Sequence, residues 1–439
     1  MTNNNIKKIK FTSFDKSTSN IAFSQKINGS KDLEEKHDNF QIPRGGGWSF
    51  TPLSFGNDIL VRDMTYHNNI LEFNDEEKSI IVESGLTLRE LFEWGFKHKL
   101  FFPVLPGFPE ITVGGCIAAN THGKNPIKDG TMKEHIVWLE LYHPKNGYQK
   151  LKPNSDEFNA TCGGLGLTGI ITKVKLKMYT LPSDKIELVP KKVDSLKESI
   201  QILGENKNAD TLYSWHIGST TKNFEKGVVR IGYFKDSFDI NKNFVNRKPF
   251  KLPDPKIPLS FWRKSIASKV NSFNRNVELR QGPRTMNIFE TFFPLTANSK
   301  WLYFLYGSKG FRESQILVSK KQVNEFSDVL TQLLKKYSPD LTIIILKPFR
   351  GNQKYIQYCN DGMSFTLNFK KSKNTDNFLS KLDETIMSYD VIPYIAKDSR
   401  LSSRVVQKCY REYEQFKKIV NKMDPDRIFR SHVSQNLDL

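Results

Sequence analysis

The stretch best suited to holding a charged ligand is Ile42-Pro43-Arg44-Gly45-Gly46-Gly47-Trp48-Ser49-Phe50. Glycine lacks a Cβ, so each of the three can take φ > 0. Successive N–H groups then converge on one concavity that binds anions, and Arg44 adds fixed positive charge. That chemistry suits a pyrophosphate; the plainer reading is a glycine-rich turn between two strands. A second stretch, residues 104–125, holds Gly107, Gly114, Gly115, Ala118, Ala119 and Gly123 and ends at His122, Lys124 and Asn125. So little side chain lets the backbone approach a large planar ligand. A third stretch, residues 161–171, contains Gly164-Leu-Gly166-Leu-Thr-Gly169, a formal GxGxxG. The dinucleotide fingerprint opens a helix. Here the residues from Ile171 to Tyr179 alternate apolar and polar, which predicts a strand and argues against a nicotinamide-type Rossmann fold.

The elements that must position these stretches are partly legible. Residues 58–64 and 79–83 read as short buried strands. Thr87-Leu88-Arg89-Glu90 is a capping box. Leu88, Leu91 and Phe92 give the buried face of a helix running to about Lys97–Lys99. The first 40 or so residues are polar and weakly patterned, which predicts a surface arm or short helix. Residues 320–334 read as a helix, 341–347 as a strand, and 408–422 as one charged helix stopped by Asp424-Pro-Asp. The 439 residues exceed one ordinary core, so two domains are expected. Cys116, Cys162, Cys359 and Cys409 lack metal-ligand spacing, so no metal site is expected and they read as reduced thiols. No apolar run reaches the roughly 18 residues of a membrane span, and no apolar leader opens the chain. The net charge of +19 favours phosphorylated substrates, anionic membrane or nucleic acid, against a plain Lys-rich surface. No nucleic-acid-binding signature accompanies it.

The motifs together resemble the FAD-binding domain of the vanillyl-alcohol oxidase and p-cresol methylhydroxylase superfamily, and most closely the decaprenylphosphoryl-ribose oxidase group. The residues that carry the resemblance are PRGGGWS at 43–49, VLPG at 104–107, TVGG at 112–115, HGKN at 122–125, GGLGLTGII at 163–171, YIAKDSR at 394–400 and MDPDRIF at 423–429. The resemblance implies an α+β, two-domain PCMH-type FAD-binding fold. The FAD-binding domain would take residues 1–185, an antiparallel-sheet substrate domain 186–392, and a returning C-terminal segment 393–439.

It also implies roles. Arg44, Gly45, Gly46, Gly47, Trp48, Ser49 and Phe50 would hold the FAD pyrophosphate. Gly107 and Thr112, Val113, Gly114 and Gly115 would line the flavin and ribityl region. Ala119, Asn120, Thr121 and His122 would border the ring system, with Ile171 and Tyr394 completing the site. Lys397 would sit beside the flavin and the reacting carbinol, Lys347 would be a second active-site lysine, and Gln315 a substrate-side amide. Phe292, Glu313 and Thr366 fall at substrate-side positions where the group carries other residues. The general base stays open between His122 and a lysine of lowered pKa. Lys397 is flanked by Asp398 and Arg400, which would orient it or form an ordinary ion pair.

The implied activity is oxidation of a secondary sugar hydroxyl, on a polyprenyl-phosphate-linked pentose or related glycosyl. A soluble aldonolactone or polyol oxidase is the alternative, and a flavin-fold subunit without catalysis a third reading. The expected partners are a sugar or glycolipid and an epimerase-type reductase, with no nucleic acid. Residues 245–285 are Pro-broken, basic and aromatic. They read as a solvated loop or as a membrane-facing lid, giving a cytoplasmic location with peripheral contact at the inner membrane face.

Where many members of the superfamily link flavin through a His, this chain has Trp48, whose indole offers no comparable nucleophile. FAD should therefore be non-covalent. Acid-precipitated holoenzyme should leave a yellow supernatant and a polypeptide of unmodified mass; any flavin adduct on the chain overturns this.

Overall fold

The computed structural model describes residues 6–218, 224–236, 260, 262–294 and 305–439. Three sheets organise them. The first contains β1 (Ile6–Thr12), β2 (Ser19–Lys26), β3 (Gln41–Arg44) and β4 (Leu60–Asp63), in the order β1-β2-β4-β3. The surface arm expected at the N-terminus is thus a β-hairpin, Ile6 opposite Gln25 through Thr12 opposite Ser19. Its pattern was hidden because β2 turns Asn20, Ala22 and Ser24 inward and leaves Ile21 half exposed. Hydropathy alternation therefore points the wrong way.

The second sheet uses β5 (Ile70–Asn74), β6 (Ser79–Glu83), β8 (Ile136–His143), β9 (Gly147–Leu151) and β10 (Ile170–Lys177), in the order β5-β6-β10-β8-β9. A two-stranded pair, β7 (Leu100–Phe101) with β11 (Tyr179–Thr180), sits beside it. The GxGxxG match runs directly into β10, as its alternation requires. The helix Leu88–Lys97 carries the full capping box: Thr87 Oγ1 accepts from the Glu90 N–H, and the Glu90 carboxylate accepts from the Thr87 N–H. Leu88, Leu91 and Phe92 form its buried face.

The third sheet has eight antiparallel strands: β12 (Lys185–Val193), β13 (Thr211–Ile217), β14 (Gly227–Phe234), β15 (Arg284–Asn287), β16 (Phe311–Ser319), β17 (Leu341–Phe349), β18 (Gly362–Lys370) and β19 (Val391–Pro393). Their order is β15-β12-β14-β13-β17-β18-β16-β19. Helices Leu196–Glu205 and Val323–Tyr337 cover one face, and the 18-residue helix Lys264–Gln281 lies on the other. The fold is α+β, as expected.

Three readings need correction. The helix expected from 320 begins at Val323, after a turn in which the Gln322 N–H reaches Ser319 O. The charged helix of 408–422 is two helices, Ser403–Cys409 and Tyr413–Met423. The chain breaks where the buried Tyr410 hydroxyl donates to Pro393 O at 2.5 Å. Residues 245–259 and 261 lie outside the described residues, but 264–281 is a helix and not a Pro-broken loop.

The C-terminal segment docks on the second sheet through Asp424. Its carboxylate accepts from His143 Nε2 at 3.2 Å and from the Phe429 N–H at 2.8 Å. Burial alone would raise its pKa, but these donors outweigh burial and hold it below the usual value. Stability from this group is present above the unfolded carboxylate pKa and is lost as pH falls through the folded one. Asp424→Ala should cost about 1–3 kcal/mol by leaving buried donors unpaired. Urea unfolding at neutral pH measures it, and a variant as stable as the parent refutes the assignment.

Candidate active site

The three glycine-bearing stretches meet along one cavity of about 930 Å³. Gly45 packs against the second stretch so closely that a Cβ there would lie 2.0 Å from Thr112 Oγ1. At Gly46 a Cβ would lie 2.6 Å from Glu110 O. Only Gly47 of the three takes the left-handed conformation, φ 72°, with the Arg44 guanidinium directly beneath it. Two of the three glycines thus serve close approach, not handedness. Arg44 donates to Ser54 Oγ at 2.7 Å and stacks over Phe11; burial lowers its pKa, opposed by Asp63.

The second stretch turns at Thr112, whose hydroxyl caps the short helix Val113–Ala118 by accepting from the Gly115 N–H at 3.2 Å. Trp48 stacks on Phe108 with centroids 5.2 Å apart. Gly114, Gly115, Ala118, Ala119, Gly166, Gly169 and Ile171 line the cavity between these loops, leaving a wall of little bulk.

FAD fits this lining on the chain's own chemistry. The N–H groups of Gly46, Gly47 and Trp48 make no hydrogen bond among the described residues, and Ser84 Oγ, buried on the cavity wall, has no partner. Free donors in a glycine turn beside a guanidinium form a ready anion cradle. The cavity volume is at the upper end of ordinary ligand pockets, about 300–1,000 Å³.

Beyond the glycine loops the cavity opens onto one face of the third sheet. Period-two alternation puts Glu313 and Gln315 (β16), Thr366 and Asn368 (β18), Ile343, Ile345 and Lys347 (β17), Tyr213 and Trp215 (β13) and Arg230 (β14) on that face. The register sets them in rows: Gln315 opposite Thr366, Thr366 opposite Ile345, Ile345 opposite Trp215.

His122 comes from the loop after the short helix. Its Nε2 lies 3.0 Å from Gln315 Nε2, and its Nδ1 lies 3.3 Å from Gly123 O. An amide nitrogen can only donate, so Nε2 is the acceptor and Nδ1 carries the proton. Burial first, then Lys347, holds the ring pKa well below the ordinary value, consistent with a neutral imidazole. Gln315 also reaches Ser364 Oγ at 3.4 Å, which pairs with the Tyr358 hydroxyl at 2.7 Å. Lys347 Nζ donates to Gly123 O at 3.2 Å, and burial with the nearby Lys397 pushes its pKa down to about 8.

Lys397 sits in the turn after β19, its Nζ 3.5 Å from the centroid of Phe50 and 3.3 Å from Glu313 Oε1. Asn368 Nδ2 holds the other Glu313 oxygen at 2.7 Å. The expected pairing with Asp398 does not form; that carboxylate binds Arg400 at 2.7 Å. Three other expected site residues stay off the cavity. Phe292 is buried among Phe101 and Phe234. Val113 points into the core. Asn120 accepts from the Lys133 N–H. The remaining named residues line it. Lys124 was noted only as a polar end of the second stretch, and Tyr213, Trp215, Arg230 and Asn368 were missed. The signal for most of them was parity along strands whose two faces are both apolar, which hydropathy does not separate.

Residues 35–151 match the model of a protein family described as an FAD binding domain. The chain is 26% identical to decaprenylphosphoryl-beta-D-ribose oxidase of Mycolicibacterium smegmatis, covering 91% of this chain and 89% of that protein. It is 20% identical to probable L-gulonolactone oxidase 1 of Arabidopsis thaliana, over 85% and 71%. It is 32% identical to mitochondrial D-lactate dehydrogenase [cytochrome] 1 of Saccharomyces cerevisiae over 35% and 28%, a match confined to part of each chain. With this domain, cavity and set of relatives, the protein is an FAD-dependent oxidoreductase. It carries a PCMH-type FAD-binding domain and uses FAD as its cofactor.

The lowered Lys347 pKa has a sign that can be checked. The folded state disfavours the ammonium, so the cost is fully present below about pH 8 and disappears as pH rises to the unfolded lysine value. Lys347→Met should therefore raise stability near pH 7, by up to about 3 kcal/mol, and the gain should vanish near pH 10.5. Thermal melting at the two pH values tests it; an equal shift at both, or a loss at pH 7, contradicts it.

Proposed function

We propose that the protein oxidises a secondary hydroxyl of a sugar carried on a polyprenyl phosphate. The observation that carries this reading is the continuity of one cavity. From the glycine loops it passes the polar groups His122, Gln315, Lys347, Lys397 and Glu313, and it ends in an apolar gallery. That gallery lies between the sheet residues Trp215, Ile343 and Ile345 and the 264–281 helix residues Ile266, Val270 and Val277. A polar chamber beside the cofactor suits a sugar, and an apolar gallery suits hydrocarbon. The same helix leaves Ile266, Val270 and Phe273 half or more exposed at spacing i, i+4, i+7, with Arg263, Lys269 and Arg280 on its surface. Apolar and cationic groups together favour an anionic lipid surface. Arg275 does not contribute to that surface: it is buried and donates to Gly227 O and Val193 O. No helix among the described residues is long and apolar enough to cross a membrane.

Bound FAD supplies a hydride acceptor. The chain's own residues handle the proton and the orientation. Oxidising a carbinol to a ketone releases a hydride from carbon and a proton from oxygen. The only lone pair of His122 already faces Gln315, so His122 is poorly placed as the base. Lys347 Nζ, with its pKa near 8, is in part a free amine at neutral pH and takes the hydroxyl proton. Lys397, fixed between Glu313 and the Phe50 ring, donates to the carbinol oxygen and stabilises charge that develops there. Glu313 and Asn368 accept from and donate to neighbouring hydroxyls. The aldonolactone oxidase reading needs no apolar gallery, and the similarity to a gulonolactone oxidase keeps it as the alternative.

Two measurements decide between them. Anaerobic bleaching of the flavin band by a polyprenyl-phosphate pentose, but not by free aldonolactones, is the expected outcome; the reverse pattern hands the function to the alternative. Lys397→Ala should keep FAD and slow bleaching about 10²–10³-fold, and near-normal reduction removes Lys397 from the chemistry.

A further inference from the structure

The cavity contains a buried cation that the oxidation of a hydroxyl does not use. Lys124 lines it and is only 6% exposed, yet its Nζ makes no hydrogen bond or ion pair among the described residues. The fold puts it there firmly. Its carbonyl accepts from the Leu212 N–H at 3.2 Å, next to Tyr213 on β13. Tyr213 is the register partner of Arg230 on β14. Gly123, the preceding residue, accepts from Lys347 Nζ. Lys124, Lys347 and Arg230 thus reach the same part of the cavity from a loop and two strands.

Their counter-charges are insufficient. Glu278 on the facing helix is occupied: it takes Arg230 through both oxygens, at 2.6 and 2.8 Å, and Trp215 Nε1 at 3.1 Å. Glu313 is engaged by Lys397 and Asn368. Neither lysine has a carboxylate within ion-pair distance among the described residues. A buried ammonium without a partner is costly, and a bound anion would remove that cost.

We infer that Lys124, backed by the Arg230–Glu278 pair, forms an oxyanion subsite that receives a phosphoryl group of the substrate and leaves Lys347 as the base. This rests on the proposed function in taking that group as part of a glycosyl phosphate. Burial, with Lys347 and Arg230 nearby, holds the Lys124 pKa well below its ordinary value. The groups facing the two lysines are His122, Tyr213, Arg230 and Lys397, with Glu278 and Glu313 as the only carboxylates among them. In the resting state part of the positive charge is therefore absent. An arriving phosphate raises the Lys124 pKa, so it binds together with a proton.

That coupling is the test. Oxidised holoenzyme is titrated with inorganic phosphate by calorimetry near pH 8, in buffers of different ionisation heat. Net proton uptake is expected, and it should fade as pH falls. Lys124→Met should weaken phosphate by about tenfold or more with FAD content unchanged, and Lys124→Arg should retain binding. Ribose 1-phosphate should bind more tightly than ribose in the parent but not in Lys124→Met. Binding without proton uptake, or equal phosphate affinity in Lys124→Met, overturns the subsite; so does D-lactate binding more tightly than phosphate. If Lys124→Met fails to load FAD, proton uptake in the parent decides alone. Phosphate binding needs no turnover. Phosphate bound by Lys124, with no sugar that bleaches the flavin, removes the proposed function and keeps the subsite. Bleaching by sugars whose affinity ignores phosphate does the opposite.

Discussion

The turn at Tyr394–Lys397 holds the site together, because it is bonded at once to the third sheet and to the first two glycine stretches. The Tyr394 N–H donates to Gln315 O at 2.7 Å, tying it to the third sheet. The Tyr394 hydroxyl donates to Ala119 O at 3.0 Å, tying it to the second glycine stretch. Ala396 O accepts from the Phe50 N–H at 3.2 Å and from Ser49 Oγ at 3.2 Å, tying it to the first. Lys397 then reaches over Phe50 to Glu313. Those backbone bonds fix the base of its side chain, and Phe50 and Glu313 fix the ammonium at its end.

This arrangement explains why charge is handled so differently at neighbouring positions. Lys397 has a carboxylate and an aromatic face, while Lys347 has only a carbonyl and pays in proton affinity. His122 is locked as a neutral ring by Gln315 and Gly123. Three basic groups side by side coexist because one is paired, one is partly discharged and one is neutral. Their mutual repulsion is part of what sets those states, since Lys347 and Lys397 are each among the groups that lower the His122 pKa.

Much of the cofactor half was legible because its signals are local. A capping box, a glycine run and an alternating strand each declare themselves within a few residues. The substrate half was less legible for physical reasons. Strand β17 is apolar on both faces, so its sequence does not say which of Ile344 and Ile345 meets the cavity. Phe292 carried the right position in a motif but turns into a cluster with Phe101 and Phe234. Glu313 as the partner of Lys397 joins residues 84 positions apart, and no local pattern announces such a pair. The N-terminal hairpin was lost to its own inverted polarity, with Asn20 and Ser24 inside and Ile21 outside.

The place of the 394–397 turn in the chain bears on biosynthesis. It comes after all the walls it closes, which are built from residues 49, 50, 119 and 315. Contacts of such sequence separation form late, after the local elements. A nascent chain can therefore assemble the glycine loops long before it can shut them. A chain that stops before residue 394 would hold the strands of the first two sheets but a cavity without its clasp. Closure of the cavity is thus deferred until residues 394–397 have been made and packed.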